Sequence, residues 1–171
     1  MIAIASIIRV NFVPLLLSAL FSGCQASSPL RQGGGLDSLE QAKRAFLDSW
    51  TKHEGETWTV DRLSRVLDNS DAFLSFDAMS SDKTVVRSYK DYAAIWGPGM
   101  AAFKTAQLSE TENVGVWISD EMAVTASIVR IHGELGDGTK LDIPGHMTLV
   151  WNRGADGWRL AHEHMSTGVK P

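Results

Sequence analysis

Four side chains in the second half of the chain are the ones best suited to binding or proton transfer. Arg130 lies in a mostly apolar segment, and His146, His162 and His164 follow it. Imidazole titrates near neutral pH and carries protons in many enzymes. Arginine binds carboxylate and phosphate groups through a two-point fork. These residue types indicate either a binding site for a small anion or a site for acid–base catalysis, with His146 and His164 as the candidate proton carriers.

Strand alternation predicts which of these side chains share a surface, because successive residues of a strand point to opposite faces. Arg130 and His132 share a face with apolar residues of their strand, and His146 does the same in the next one. In the last strand one face begins apolar and ends polar. Its members are Trp158, Leu160, His162, His164 and Ser166. We expect these polar groups to converge inside the open end of a sheet and to form a ligand pocket there.

Arg130 has two interpretations. An arginine in an apolar strand is costly unless a carboxylate meets it. Glu54, Asp77 and Asp91 are the candidate protein partners. If none of them is close, an anionic ligand is implied.

Each histidine also has a structural interpretation. His164 and His162 are also typical of core histidines that are hydrogen-bonded to the backbone. His132 is also typical of a solvated strand end. His146 has a stronger functional case because it follows Pro144-Gly145, where we predict a bulge, and bulges redirect side chains near sites.

A metal site is permitted by spacing alone. His162 and His164 on one strand face, with His146 on the neighbouring strand, could offer three imidazoles to zinc or iron. Nothing else in the sequence supports it, so we predict no metal and no cofactor.

Aromatic residues supply a hydrophobic wall for the expected pocket. They are Trp50, Tyr92, Trp96 and Trp117. The same residues are also typical of a plain core.

Three helices are predicted ahead of the strands. Ser38 and Gln41 form a capping-box pattern, and an apolar stripe then continues to His53, before Gly55. A shorter helix is predicted near residues 60–67. Ser88 opens the third, which we expect Gly97-Pro98-Gly99 to interrupt, making the rim of a cavity.

From about residue 104 the pattern alternates, with turns near residues 119–121, 136–138 and 153–157. This predicts an antiparallel meander. Helices followed by hairpin-linked strands indicate an α+β domain, a curved antiparallel sheet wrapped around three N-terminal helices.

Composition limits the possible partners. The 171 residues, 44% hydrophobic and 21% charged, suit one domain. A net charge of -4 without a basic cluster argues against nucleic acid. Cys24 is the only cysteine, which excludes an internal disulfide.

The N-terminus predicts export. Residues 1–23 have the length of a signal peptide. The segment Leu20 to Cys24 resembles the lipobox of bacterial lipoproteins. The resemblance implies that a lipid is attached at Cys24 and that the protein lies in the cell envelope, facing the periplasm. Residues 24–35 are predicted to form a flexible tether. The alternatives are a secreted protein cut near Ala26 or a mis-assigned start codon.

The end of the chain carries a family resemblance. Asp156-Gly157-Trp158, followed by His162-x-His164-x-Ser166, resembles the closing strand of the SnoaL-like and nuclear-transport-factor-2-like families. The nearest pattern is that of the calcium/calmodulin-dependent protein kinase II association domain and its bacterial relatives. The resemblance spans residues 36–168. It implies a cone-shaped, cystatin-like fold with a pocket, to which a matching arginine at Arg130 contributes.

The same resemblance implies a homodimer formed through the convex face of the sheet. The strand residues on the face opposite to the expected pocket are apolar enough to form such an interface. They include Ala123, Val129, Ile131, Ala161 and Met165.

Two functions stay open. One is a ligand-binding or assembly module in which Arg130 anchors a small molecule. The other is a cofactor-independent isomerase, dehydratase or lyase in which His146 or His164 moves a proton. A ketosteroid-isomerase reaction is disfavoured, since its Asp and Tyr groups have no clear counterparts.

Overall fold

The computed structural model describes residues 38–68, 73–77 and 85–168. The predicted signal peptide and tether, residues 1–23 and 24–35, lie outside these ranges. Helices and strands alternate along the described chain as follows: α1 Leu39–Ser49, a 3₁₀ helix Val60–Leu63, β1 Leu74–Asp77, β2 Val85–Val86, α2 Tyr89–Ala101, β3 Phe103–Ile118, β4 Met122–Leu135, β5 Lys140–Gly154 and β6 Gly157–Thr167.

The strands form one sheet in the order β2-β1-β6-β5-β4-β3. Strands β3 to β6 make the predicted antiparallel meander, while β1 pairs in parallel with β6 and so makes the sheet mixed. The helices pack on one face, where the Phe46 ring of α1 meets the Trp151 ring of β5 edge-on at 6.4 Å. This confirms the predicted α+β class.

Helix α1 begins as predicted and ends early. Ser38 Oγ accepts from the Gln41 amide at 3.1 Å, and the Gln41 side chain accepts from the Ser38 amide at 3.2 Å. The helix stops at Ser49 rather than His53 because the backbone of Lys52 exchanges two hydrogen bonds with Ala106. A tertiary contact therefore ends the helix before its local signal does.

Helix α2 is continuous through Gly97-Pro98-Gly99, so the predicted interruption is wrong. Pro98 lies in the last turn, where its missing N–H forfeits one bond to Ala94, an exposed residue whose carbonyl water can reach. The predicted second helix is only a 3₁₀ turn, Val60–Leu63. The described domain thus has two α-helices and one 3₁₀ helix instead of three α-helices.

The bulges lie elsewhere than predicted. Strands β4 and β5 keep unbroken register past Pro144 and Gly145, so no bulge occurs there. Pro144 lies one residue beyond the last pair of β5 with β6, where its missing N–H costs no ladder bond on that side. Instead β6 has an extra residue, Ala161, because Trp151 pairs with Leu160 while Val150 pairs with His162.

Within the described ranges, neither helix has both the length and the apolar character needed to cross a membrane.

Candidate functional site

The bulge at Ala161 decides which side chains of β6 face the helices. Before it, Leu160 points into the core. After it, Glu163 and Met165 point the same way, opposite the buried Leu149 and Met147 of β5. The expectation that His162 and His164 share the face of Leu160 is wrong, because one extra residue reverses the alternation.

The polar residues predicted for the pocket lie on the other side of the sheet, which we call the outer face. It comprises the side chains directed away from the helices. Arg130, His132, His146, His162 and His164 all belong to it, as the register with their neighbours shows. The structure therefore brings the predicted cluster onto one face, but this face does not enclose the cavity.

Arg130 is paired within the protein. Its Nε lies 2.6 Å from Asp142 Oδ1, and His132 Nδ1 lies 3.2 Å from the same oxygen. The Arg130 hydrogen bond lowers the pKa of Asp142 below its usual value. Asp142 was not among the expected partners, and its presence removes the reason to invoke an anionic ligand at Arg130.

The outer histidines have structural surroundings. His162 Nδ1 lies 2.9 Å from the Leu74 carbonyl. The rings of His162 and His164 meet Phe76 edge-on at 5.4 and 6.1 Å, and His146 is exposed. Among the described residues, no three histidine, cysteine or acidic side chains are grouped closely enough to hold a metal ion.

A cavity of about 40 Å³ lies on the opposite side, between the helices and the sheet. By the measure in which one water needs about 10–15 Å³, it has room for two or three waters or a few ligand atoms. Its walls are nearly all apolar. The lining residues are Trp50, Trp96, Met100, Phe103, Ala106, Gln107, Leu108, Ile131, Glu163 and Met165.

Two of the four aromatic residues predicted for the pocket wall, Trp50 and Trp96, line this cavity. Their ring centroids are 4.7 Å apart and their ring planes lie at 70° to each other. Tyr92, which is not itself in the lining, packs edge-on against Trp50 with the ring centroids 6.0 Å apart. Trp58 stacks on the far side of Trp50 at 5.4 Å. Trp117, also expected in the wall, is 61% exposed near the β3–β4 turn.

The polar end of the cavity is a carboxyl group that the sequence interpretation missed. Glu163 is only 1% exposed, and its Oε2 accepts a hydrogen bond of 2.7 Å from the Tyr92 hydroxyl. Of the described lining residues, Glu163 is the single ionisable one. Strict alternation had placed it outside with Met165, and no local signal marks Ala161 as the bulge.

The indole groups of the cavity differ from those elsewhere in the core. Trp58 Nε1 donates to the Ser49 carbonyl at 2.7 Å, and Trp151 Nε1 donates to Thr125 Oγ1 at 3.2 Å. Trp50 Nε1 and Trp96 Nε1 are buried, yet no described residue offers either an acceptor. Leaving such a donor unsatisfied costs about 1–3 kcal/mol.

Lys52 fixes the wall beside the cavity. Its buried ammonium donates to the Met100 carbonyl at 2.9 Å and to the Phe103 carbonyl, at the end of α2. A cation suits this position because the last carbonyls of a helix carry partial negative charge. Lys52 therefore holds the end of α2 against β3, and with it two lining residues.

A second polar cluster joins α1 to the sheet away from the cavity. Lys43 Nζ lies 3.1 Å from Glu110 Oε1, and Ser127 Oγ donates to Glu110 Oε2 at 2.5 Å. Each charge in this cluster has a partner, which is the usual condition for burying one. We assign it to positioning α1.

Comparison with known proteins identifies the family. The model of the SnoaL-like domain matches residues 44–170. The chain belongs to the SnoaL-like domain family. This SnoaL-like domain also resembles a nuclear transport factor 2-like superfamily protein from Salmonella enterica serovar Typhimurium, with 18% identity, a TM-score of 0.63, and coverage of 76% of this chain and 88% of the other.

Two further solved structures share the fold. One, from Thiobacillus denitrificans, is named for the calcium/calmodulin-dependent protein kinase type II association domain: identity is 20%, TM-score 0.58, and coverage 78% and 97%. The other, from Streptomyces avermitilis, is named as a dehydratase of the same superfamily: identity is 19%, TM-score 0.60, and coverage 77% and 94%. No protein of curated function matches the chain.

These comparisons confirm the family and the fold predicted from the last strand. The structure corrects the surface expected to pair in a dimer. The residues named for it, Ala123, Val129, Ile131, Ala161 and Met165, are buried or packed against the core rather than on the outer face. The parity was inverted, as it was for the histidines of β6.

Proposed function

We propose that the SnoaL-like domain binds a small, uncharged and largely apolar molecule in the cavity between its helices and sheet. The observation that carries this proposal is the pairing of Glu163 with Tyr92 at the end of an otherwise apolar cavity walled by Trp50 and Trp96. Ligand pockets typically combine apolar walls with a few fixed polar groups. Proteins of this fold often have a ligand pocket.

The charge of the lining supports an uncharged ligand. Among the described residues that line the cavity there is no lysine or arginine, and Glu163 is the single ionisable one. A buried ligand anion needs a nearby cation, and here it would instead approach a carboxyl group. The volume of about 40 Å³ supports a compact ligand.

Binding can be tested with two neutral five-membered rings, cyclopentanone and methylenecyclopentane. We expect at least one to bind saturably and to shift NMR signals of the lining residues. Ala106 lines the cavity, so Ala106→Leu should fill it and abolish binding, whereas Ala126→Leu on the outer face should leave binding intact. The proposal is wrong if neither ring binds, or if Ala106→Leu binds as the wild type does.

Acid–base catalysis is the second candidate function, with Glu163 in place of the histidines first considered. A buried carboxyl group that receives a phenol hydrogen bond is positioned to accept or return a proton. The reaction class would be a cofactor-independent isomerisation, dehydration or lyase reaction. His146 and His164 lie on the outer face and are not among the described residues that line the cavity.

Proton transfer can be followed as deuterium incorporation beside the carbonyl of cyclopentanone in D₂O. An enzyme of this class should accelerate the exchange, and Glu163→Gln should abolish the acceleration while ring binding persists. His146→Gln and His164→Gln should have no effect. Exchange that survives in Glu163→Gln would remove the carboxyl group from the mechanism.

We further propose that the protein is exported and anchored to the membrane of a bacterial envelope through Cys24. The supporting feature is the apolar run ending in Leu20 to Cys24. Expression in a bacterial host with labelled palmitate should label the protein and place it in the membrane fraction. Cys24→Ser should lose both, and an unlabelled wild-type protein would contradict the proposal.

A homodimer remains a proposal as well, now through the true outer face. The middle of this face is half-buried and largely apolar, with Phe76 43% exposed beside it. Its central residues are Val124, Ala126, Ile128, Thr148 and Val150. Sedimentation of the domain at micromolar concentration should give a dimer that Val150→Arg dissociates; a monomeric wild type excludes it.

A further inference from the structure

We infer that the ligand of the cavity presents a neutral carbonyl-type oxygen to the indole N–H groups of Trp50 and Trp96. This inference rests on the proposed binding function and specifies its ligand class. Both indoles belong to cavity-lining residues, both N–H groups are buried, and neither finds an acceptor among the described residues.

The contrast with the other buried indoles supports a role for these two donors. The fold supplies Trp58 with the Ser49 carbonyl and Trp151 with a threonine hydroxyl. Buried polar groups are nearly always paired in this way. Among the described tryptophans, Trp50 and Trp96 are the two whose N–H group is buried without a described acceptor, and both line the cavity. An acceptor supplied by a ligand satisfies the pattern that the protein follows elsewhere.

Carbonyl chemistry fits this pair of donors best. A carbonyl oxygen has two lone pairs and no proton, so it can accept from two N–H groups without adding a donor that needs its own partner. A carboxylate would bring a negative charge beside Glu163, in a cavity where no described lining residue is a cation. Water is the competing occupant, because the cavity has room for two or three molecules.

The test uses two rings of nearly equal shape that differ in one group. Cyclopentanone carries the acceptor oxygen, and methylenecyclopentane carries CH₂ at the same place. Hydrogen bonding moves an indole N–H proton downfield, and single Trp→Phe variants assign the signals of the six tryptophans. We expect cyclopentanone to move the Trp50 and Trp96 signals downfield, and methylenecyclopentane to produce no such shift.

Trp58 and Trp151 are internal controls, because their N–H groups already have protein acceptors. Their signals should stay within the small changes that either ring produces. The shifts themselves are measured on the wild-type protein, and the variants serve only to assign the signals.

Relative affinity gives a second readout. The ratio of the dissociation constants for the two rings should shift against the ketone by about tenfold in Trp96→Phe, the size expected for losing one buried hydrogen bond. Trp117→Phe, which alters an exposed tryptophan, should leave this ratio unchanged.

The outcomes separate the two proposals. In one outcome both rings bind, but the Trp50 and Trp96 signals do not move downfield and the affinity ratio is unchanged in Trp96→Phe. The carbonyl inference is then wrong, and the binding function stands. If neither ring binds, both are overturned. Downfield shifts confined to Trp50 and Trp96 support both.

Discussion

The two faces of the sheet treat their charged residues in opposite ways. On the inner face, Glu163 is 1% exposed, hydrogen-bonded to Tyr92, and placed at the end of an aromatic cavity. On the outer face, Arg130 and Asp142 pair where water reaches both side chains. Residue type therefore indicates which side chains could form a site, and burial determines which of them do. The buried Glu163 carboxyl group, hydrogen-bonded at the end of a cavity, is a better functional candidate than the five cationic or titratable groups of the outer face.

One residue separates these two outcomes in β6. Ala161 occupies a bulge, so the residues that follow it are turned to the face opposite to the one alternation predicts. The predictions below therefore begin with that strand.

Inserting one alanine between His162 and Glu163 should have the largest effect. The added residue turns Glu163 and Met165 outward and brings His164 into the core. We expect a loss of more than about 4 kcal/mol of unfolding free energy, the range reserved for severe core disruption. Deleting Ala161 is the control and should cost less, because Leu160 and Glu163 then stay on the inner face of a regular strand. Circular dichroism during thermal unfolding measures both. An insertion variant with the melting temperature of the wild type would show that alternation along β6 does not set the two faces.

Truncating a tryptophan should distinguish the buried core from the exposed end of the β3–β4 hairpin. Trp151 is fully buried against Phe46, so Trp151→Ala should cost about 3–5 kcal/mol. Trp117→Ala makes the same chemical change at an exposed site and should stay within about 0.5 kcal/mol. Denaturant unfolding measures both. Similar losses for the two variants would contradict the assignment of the faces.

The Tyr92–Glu163 contact should show energetic coupling. A double-mutant cycle with Tyr92→Phe and Glu163→Gln should give a coupling energy of about 1–3 kcal/mol, because the bond is buried and short. Chemical unfolding of the four proteins measures it. Ser88→Ala combined with Glu163→Gln is the matched control and should be additive. Additive effects of the first pair would mean that the contact contributes little.

The smallest effect is expected at Arg130. Its hydrogen bond lowers the pKa of Asp142, so Arg130→Ala should return that pKa towards its usual value. Because the pKa of Asp142 is lower folded than unfolded, the associated stability is present above the unfolded pKa and is lost as pH falls through the folded pKa. In Arg130→Ala, the part of the unfolding free energy that falls with pH through titration of Asp142 should therefore be lost.

Carboxyl NMR titration measures the shift at Asp142. Asp137 is the control, because the backbone N–H of Thr139 rather than an arginine lowers its pKa. Its titration should be the same in both proteins. An unmoved pKa at Asp142 would show that Arg130 does not govern it.

Much of the fold could be predicted from local signals. The capping residues Ser38 and Ser88 start their helices as expected. The stripe Leu39, Ala42, Phe46 and Trp50 is buried as its spacing indicates. These features depend on neighbours a few residues away, and the sequence displays those neighbours directly.

The candidate site could be predicted only in part. Trp50 and Trp96 were assigned to the pocket and line the cavity, because large aromatic residues on helix faces turn toward the sheet. Glu163 was missed, and His162 and His164 were placed inside, because strand alternation was carried through Ala161 without a break. Arg130, His132 and His146 were placed inside because the wrong parity of β4 and β5 was taken as the inner one.

The sequence by itself determined the α+β class, the helix starts, the meander and the family, since periodicity, caps, turns and the motif near the C-terminus are local patterns. The tertiary structure alone decided where α1 ends, which face of β6 is inside, and which buried indole N–H groups find no acceptor among the described residues. Those features depend on how strands pair across the sheet, and pairing is settled by contacts between residues far apart in the chain.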